Sequence, residues 1–529
     1  MTAWMQSAFL AVSSALIQAA DPPASSRSAA PPPLADSSHD RLSPPSDGDH
    51  SFSTLYSYQS RLLALHGGDY RHVSLDVKAE HFEWMVWQYH MAPWHQVHTR
   101  VRLPWRLRDP IDFRPGADLS TWNGALLAAL SYKYAVTRDD ETLRRIEELL
   151  AGLHFFQEVT GKPGLAARCV VQSDVPVDEC KHRYIAPDGT VYHFRASPAK
   201  GTYNQLVLGY ATLLMRAGEL LPPETERLAR EDLAALALHL IDHDYHIRDL
   251  DGDKSPYGDL TPNIGPTGVP FNAQVATMIV AAGHSFPTEN DRKRRRIDHE
   301  FERLREGHYY YERPYLHVID PQKIGGGPFL KGMNDRNHVT NAAFIGLALE
   351  VDRARRRDRK VNNEFLYQLG QTMVESMNYL APYHNSLCNF MWAGVLSDRD
   401  VFRAIIRDDR GDTRREVERL VSDGVEQLRR FPLDRFLYAG HELAAARPPW
   451  ADEQRPDSYL WKDTPDSVWQ NTGPTDGSMI SAIDYLHAYW LMRFFRLDEH
   501  RAVNASHGDV LRLSTPSRTS TGGQRKTDD

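Results

Sequence analysis

Two kinds of hydrophobic run alternate along the chain. The segment "ETLRRIEELLAGLHFF" places Leu143, Ile146, Leu149, Leu150 and Leu153 on one stripe, with Arg144, Arg145, Glu147 and Glu148 opposite. That spacing predicts an amphipathic helix with one face to water. The run before it, Trp122 to Tyr134, has almost no charged face, and a helix of that kind has to be surrounded by protein. The couple recurs. "TYNQLVLGYATLLMRAG" precedes "PETERLAREDLAALALHLI", and "PFNAQVATMIVAAG" precedes "TENDRKRRRIDHEFERL". "HVTNAAFIGLALEV" precedes "NNEFLYQLGQTMVESMNYL", and "NSLCNFMWAGVL" precedes "DTRREVERLVSDGVEQL". "TDGSMISAIDYLHAYWLMRFF" is a sixth apolar run, and the stretch around Tyr56 to Leu65 is read as its partner.

Sustained alternation rich in Val, Ile and Thr is nearly absent outside short pieces such as "TVYHF", so the fold class is all-α. Helix hairpins that each bury one member against their neighbours build arrays. Six inner helices inside outer ones predict a closed (α/α)6 toroid over residues 53–498. An open solenoid is the alternative, but solenoids keep a short fixed period, whereas the repeats here are spaced by about 50 to 90 residues.

The segments "DLSTWNGALLAALSYKYAVT", "HLIDHDYHIRDLDGDKSPYGD", "FPLDRF" and "GPTDGSMISAIDYLHAYWLMRFF" resemble those of secreted bacterial (α/α)6-toroid carbohydrate-active proteins. Many glycoside hydrolases and polysaccharide lyases share that scaffold. In architecture the resemblance covers most of residues 110–495. It implies a carbohydrate substrate and assigns no residue a role, because a fold does not fix a function.

The ends read differently. Residues 1–20, "MTAWMQSAFLAVSSALIQAA", hold an apolar stretch of about 13 residues closing on small side chains, the length of a signal-peptide core and too short to span a bilayer. No Lys or Arg precedes it, a departure from the usual pattern. The expectation is export, to the periplasm or beyond. Residues 21–52 are rich in Pro, Ser and Asp, and residues 499–529 are likewise polar. Neither segment holds enough large apolar side chains to offset the entropy of ordering, so a linker and a tail are expected. No other window approaches the roughly 20 apolar residues of a membrane helix.

A formal net charge of -8 carries no basic excess, which argues against a nucleic-acid partner. Three cysteines are too few for a disulfide framework or a zinc ribbon. Cys169 and Cys180 are close enough to staple the loop "VVQSDVPVDE" in an oxidising compartment, a pairing that spacing leaves open. Cys388 sits in an apolar context and reads as buried.

A ring of inner helices would bring their N-termini to one face. Trp122 and Asn123, Tyr203 and Asn204, Phe271 and Asn272, Asn341 and Asn389 would then gather around a cleft. Aromatic rings offer flat faces to sugars, and amides offer both donor and acceptor to hydroxyls. The competing role for each is an N-cap or a core filler. Glycoside hydrolysis asks for two facing carboxyl groups, and Asp118, Asp335 and Asp476 each stand just ahead of an inner helix. First-turn carboxylates also serve the helix dipole. A uronate lyase would instead need a base and donors for the carboxylate. "DRNHVTN" supplies Arg336, Asn337 and His338, and "PYHNSLCN" supplies Tyr383, His384 and Asn385. A non-catalytic glycan-binding protein would keep the aromatics without either set.

No catalytic metal is expected. "RDLDGDKSPYGD" orders Asp249, Asp251, Asp253 and Asp259 as a calcium loop would, but Lys254 stands where the loop needs Gly and no Glu closes it. An Asp-Gly turn competes with a structural calcium there. His239 and His243 lie one helical turn apart at the end of an outer helix, where they suit its dipole better than zinc. "FEWMVWQYHMAPWH" reads as core aromatics rather than a cleft rim, and the basic run Arg292–Arg296 as a solvated face.

Overall fold

Arg138 takes a left-handed conformation, φ 58°, and returns its N–H to the Tyr134 carbonyl, ending the first long apolar helix. Asp139 then accepts the Thr142 N–H at 2.8 Å and starts the next, with Asp140 and Glu141 in its first turn. Cap and acidic turn both favour helix nucleation at this point. The sequence thereby turns one hairpin in two residues, Arg138 and Asp139.

A computed structural model describes residues 42–45, 51–104, 110–116, 118–261, 271–306, 334–356, 363–380, 383–398, 413–436, 450–453, 459–462 and 476–499. Its helices are α1 (Phe52–Leu65), α2 (Leu75–Met85), α3 (Leu119–Thr137), α4 (Asp140–Glu158), α5 (Lys200–Arg216), α6 (Pro223–Asp242) and α7 (Phe271–Ser285). They continue with α8 (Asp291–Glu306), α9 (Asn334–Arg356), α10 (Asn363–Leu380), α11 (Ser386–Ser397), α12 (Thr413–Arg429) and α13 (Ile483–Phe494). The expectations for the 1–20 leader, most of the 21–52 linker and the tail beyond Glu499 fall outside the described residues. None of the described helices is long and apolar enough to cross a membrane.

The protein is mostly helical, as the pattern predicts. The apolar helices α3, α5, α7, α9 and α11 each pack on the next, and α13 packs on both α11 and α3. On the outside, α4, α6, α8, α10 and α12 each cover the inner helix before them. Helices α3 and α5 pack backbone against backbone. A Cβ on Gly124 would stand 2.5 Å from the Gln205 carbonyl oxygen, and one on Gly209 would stand 2.5 Å from that of Gly124. Only glycine allows that crossing.

The partner of α13 differs from expectation. It is α2, whose Phe82 ring lies 4.8 Å from Tyr485. Helix α1 lies one layer further out: Tyr58 sits edge-on to Trp84, and Gln59 donates to the Leu433 carbonyl at 2.8 Å. Both segments bury apolar side chains, Val77, Phe82 and Met85 on α2 and Leu55, Tyr58 and Leu62 on α1. The aromatic run is core, with Tyr89 fully buried and edge-on to Trp84.

Short strands sit ahead of the inner helices. β1 (Arg100–Arg102) pairs antiparallel with β2 (Asp112–Phe113), which leads to α3, and with β8 (Met479–Ile480), which leads to α13. β3 (Cys169–Gln172), β5 (Val191–Arg195) and β4 (His182–Ile185) form an antiparallel sheet that feeds α5. β6 (His246–Arg248) and β7 (Lys254–Asp259) form a hairpin. The "TVYHF" alternation is β5.

Candidate functional site

Four inner helices begin around one cavity. Trp122 of α3, Gln205 of α5, Asn337, His338 and Asn341 of α9, and Leu387 and Cys388 of α11 line it, and Tyr459 and Trp461 close it. Its volume is about 10 Å³, the space of one water molecule.

Local bonds fix this lining. Asn204 donates to the His338 carbonyl at 2.9 Å and so ties α5 to the first turn of α9. The His338 ring lies where a Cβ on Gly201 would be, 2.5 Å from Nε2. Asn385 caps α11 by accepting the Cys388 N–H at 3.0 Å, and its Nδ2 donates to Asn337 Oδ1 at 3.3 Å. Burial pushes the Cys388 thiol up to about 12, so it stays protonated and is no nucleophile. Trp122 Nε1, Gln205 Oε1 and Asn341 Oδ1 are buried with no hydrogen-bond partner among the described residues. Buried polar atoms of this kind are normally satisfied, so the cavity offers one donor and two acceptors to whatever enters.

The aromatic closure is anchored from below. The Tyr459 ring stacks on Trp122, centroids 4.5 Å apart and planes 12° apart. Its hydroxyl shares a hydrogen bond of 2.8 Å with His487 Nδ1. Burial holds the phenol well above its ordinary pKa and lowers His487 to about 3, so both are neutral at ordinary pH. Trp461 Nε1 donates to the Asp484 carbonyl at 2.7 Å, and Leu460 N–H to Asp484 Oδ2 at 3.2 Å. Arg435 closes the arrangement with a bond of 2.8 Å to the same carboxylate oxygen. Asp484 is completely buried, which raises its pKa against the pull of Arg435.

The structure brings Trp122, Asn337, His338 and Asn341 together at the cavity, and the following candidates stand elsewhere. Asn123 bridges both backbone groups of Val97, at 2.8 and 2.9 Å. Tyr203 donates its hydroxyl to the Gly164 carbonyl. Asn389 donates to Asp423 Oδ2 at 2.8 Å, and His384 meets Oδ1 of the same carboxylate at 2.6 Å while stacking on Trp450. Tyr383 is half-buried beside it in sequence, and Asn272 is buried in the first turn of α7. Asp118 is bonded to Arg168. Asp476 is bonded to Arg102 at 2.6 Å. Burial pushes the Asp476 carboxyl up, but hydrogen bonds from Ser478 and Arg102 outweigh it and bring the group down to about 2. Asp335 lies in the first turn of α9; its side chain is outside the described residues.

The calcium-like stretch is the turn of the β6–β7 hairpin. The Asp249 carboxylate accepts N–H bonds from Ser197 and Leu250, and that of Asp251 accepts one from Asp253. Among the described residues no group of three or more His, Cys, Asp or Glu could hold a metal ion. His239 Nε2 accepts the Arg248 N–H at 3.1 Å, and His243 Nδ1 meets the His239 carbonyl at 2.7 Å. Both are used as structural groups.

Sequence reading passed over Gln205, Tyr459, Trp461, Asp484, Arg435 and His487. Three of them were within reach: Gln205 adjoins Asn204 in the second turn of an inner helix, and Asp484 and His487 open the sixth inner helix. Tyr459 and Trp461 lie in a loop with no periodicity to point inward.

No family model and no curated protein matches the chain. Among solved structures it is similar to a sugar epimerase from a ruminal bacterium, at a TM-score of 0.34 and 9% identity over 73% of this chain and 88% of that one, a likeness too slight to carry function across.

Proposed function

We propose that the protein is an exported carbohydrate-active enzyme of the (α/α)6-toroid kind, and that it cleaves a uronate-containing polysaccharide by β-elimination. The observation that carries this reading is the cavity lining: an indole, several amides and a histidine at converging helix starts, with no carboxylate among the described lining residues. In the proposed step His338 takes the proton from C5 of the uronate. The side-chain amides of Gln205, Asn337 and Asn341 hold the sugar carboxylate and hydroxyls, and Tyr459 returns a proton to the oxygen leaving C4. A tyrosine is protonated at ordinary pH and so arrives with the proton it gives. A cavity of about 10 Å³ does not admit a sugar ring, so binding includes withdrawal of the Tyr459 ring from Trp122.

Paired-carboxylate hydrolysis needs one protonated carboxyl. Asp476, at about 2, is ionised at ordinary pH, and Asp118 is engaged by Arg168. Neither is therefore a ready acid, and the side chain of Asp335 lies outside the described residues. Export rests on the apolar stretch within residues 1–20.

The test is incubation of the full chain with a panel of uronic and neutral polysaccharides, reading reducing ends together with ultraviolet absorbance. Elimination gives both signals, on uronates only. Reducing ends without absorbance would replace this reading by hydrolysis, and neither signal with retained binding would leave a glycan-binding protein.

A further inference from the structure

Cys169 opens β3 and stands directly opposite Arg195 of β5 in the antiparallel register. Cys180 lies at the far end of the intervening loop, where its N–H bonds the Val177 carbonyl at 2.9 Å. The Cys169 thiol and the Arg195 backbone N–H are the groups that act on the Cys180 sulfur. One strand residue therefore locates both sulfurs. Both cysteines are buried, at 1% and 0% exposure. Between them Gln172, Asp174, Val175, Pro176, Asp178 and Glu179 are exposed.

We propose that Cys169 and Cys180 are a disulfide site, and that the bond between them pins the 173–179 loop to the sheet that supports the start of α3. The structural link to α3 is short. Arg168, next to Cys169, bonds Asp118 with its guanidinium and accepts the Ser120 N–H with its carbonyl at 3.1 Å. It also gives its own N–H to the Arg195 carbonyl at 2.8 Å. A bond at Cys169 therefore anchors the strand end that holds the first turn of α3, the turn that carries Trp122.

In the reaction the two sulfurs form one S–S bond and lose their hydrogens as protons. The two electrons reduce one molecule of a small disulfide such as oxidised glutathione, whose own S–S bond breaks to give two thiols. Attack requires a thiolate, and the neighbouring Cys169 thiol together with burial keeps the Cys180 thiol protonated. Oxidation therefore proceeds during folding or when the exposed loop opens, and the buried bond is afterwards shielded from reductants. Cys388 is buried on α11, a different element, and stays reduced.

The experiment uses the whole chain purified in reductant, then equilibrated with oxidised glutathione through a cycle of partial unfolding and refolding. Free thiols are alkylated in denaturant, and peptides are mapped by mass. The expected result is a fall from three free thiols to one, a linked Cys169–Cys180 peptide two hydrogens lighter, and a thermal midpoint raised by several degrees. The rise should vanish in Cys169→Ser. Three alkylated thiols after oxidation, or a bond that includes Cys388, would overturn the proposal. The thiol count needs no variant to fold, and it is independent of whether any polysaccharide is cleaved.

Discussion

Tyr459 lies flat on Trp122, 4.5 Å away and 12° from parallel, and so occupies the face on which a sugar ring would stack. Removing the ring and removing only its hydroxyl should separate two roles. Tyr459→Phe keeps the stack and is expected to lower kcat by about 10²-fold or more through loss of the proton donor, with little change in KM. Tyr459→Ala should bare the indole and shift tryptophan emission to the red. Full activity in Tyr459→Phe would remove the hydroxyl from the proposed step.

His338 is the only titratable base among the described cavity residues. His338→Gln is expected to lose about 10²- to 10⁴-fold in kcat, with its circular dichroism unchanged. Asp118→Asn and Asp476→Asn, which hydrolysis by paired carboxylates would require to be inactive, should each retain turnover within a few-fold. Inactivity of both, in folded protein, would return the choice to hydrolysis.

Asp476 gives a pH signature. Its folded pKa of about 2 lies below the roughly 3.9 of an unfolded aspartate. The group therefore contributes stability that is complete above the unfolded value and is lost as pH falls through the folded one. Thermal midpoints of the protein and of Asp476→Asn should differ most near neutrality and converge toward about pH 2. Midpoints that stay parallel down to that pH would mean that the Ser478 and Arg102 bonds together contribute nothing measurable through ionisation of Asp476.

Asp484 behaves oppositely, because it is wholly buried and its pKa is raised. Asp484→Asn leaves Arg435 buried without its counter-charge, which is expected to cost about 3–5 kcal/mol in urea denaturation. The change should also loosen Trp461 and alter its fluorescence. A loss below about 1 kcal/mol would show that Arg435 finds another partner.

The helix couples were legible because amphipathic and all-apolar runs differ in period and charge, as Leu143–Leu153 and Trp122–Tyr134 do. The displacement of the Tyr56–Leu65 helix by Leu75–Met85 was not, since both runs are apolar and the choice depends on which shape fits Tyr485. At the site, Trp122, His338 and Asn341 announced themselves as polar or bulky groups at helix starts. Asn123 and Asn204 carry the same signal but spend their amides on Val97 and His338, a distinction only side-chain direction reveals. Tyr459 and Trp461 come from an aperiodic loop, where sequence spacing has no bearing on orientation.

Gly201 has a consequence for how this site can change. The imidazole of His338 rests in a notch made by a missing methyl group on the facing helix, so the chemistry at position 338 is hostage to a residue with no functional group of its own. Any side chain acquired at 201 would evict the ring, and drift at that glycine would silence the site while leaving every reactive group in place.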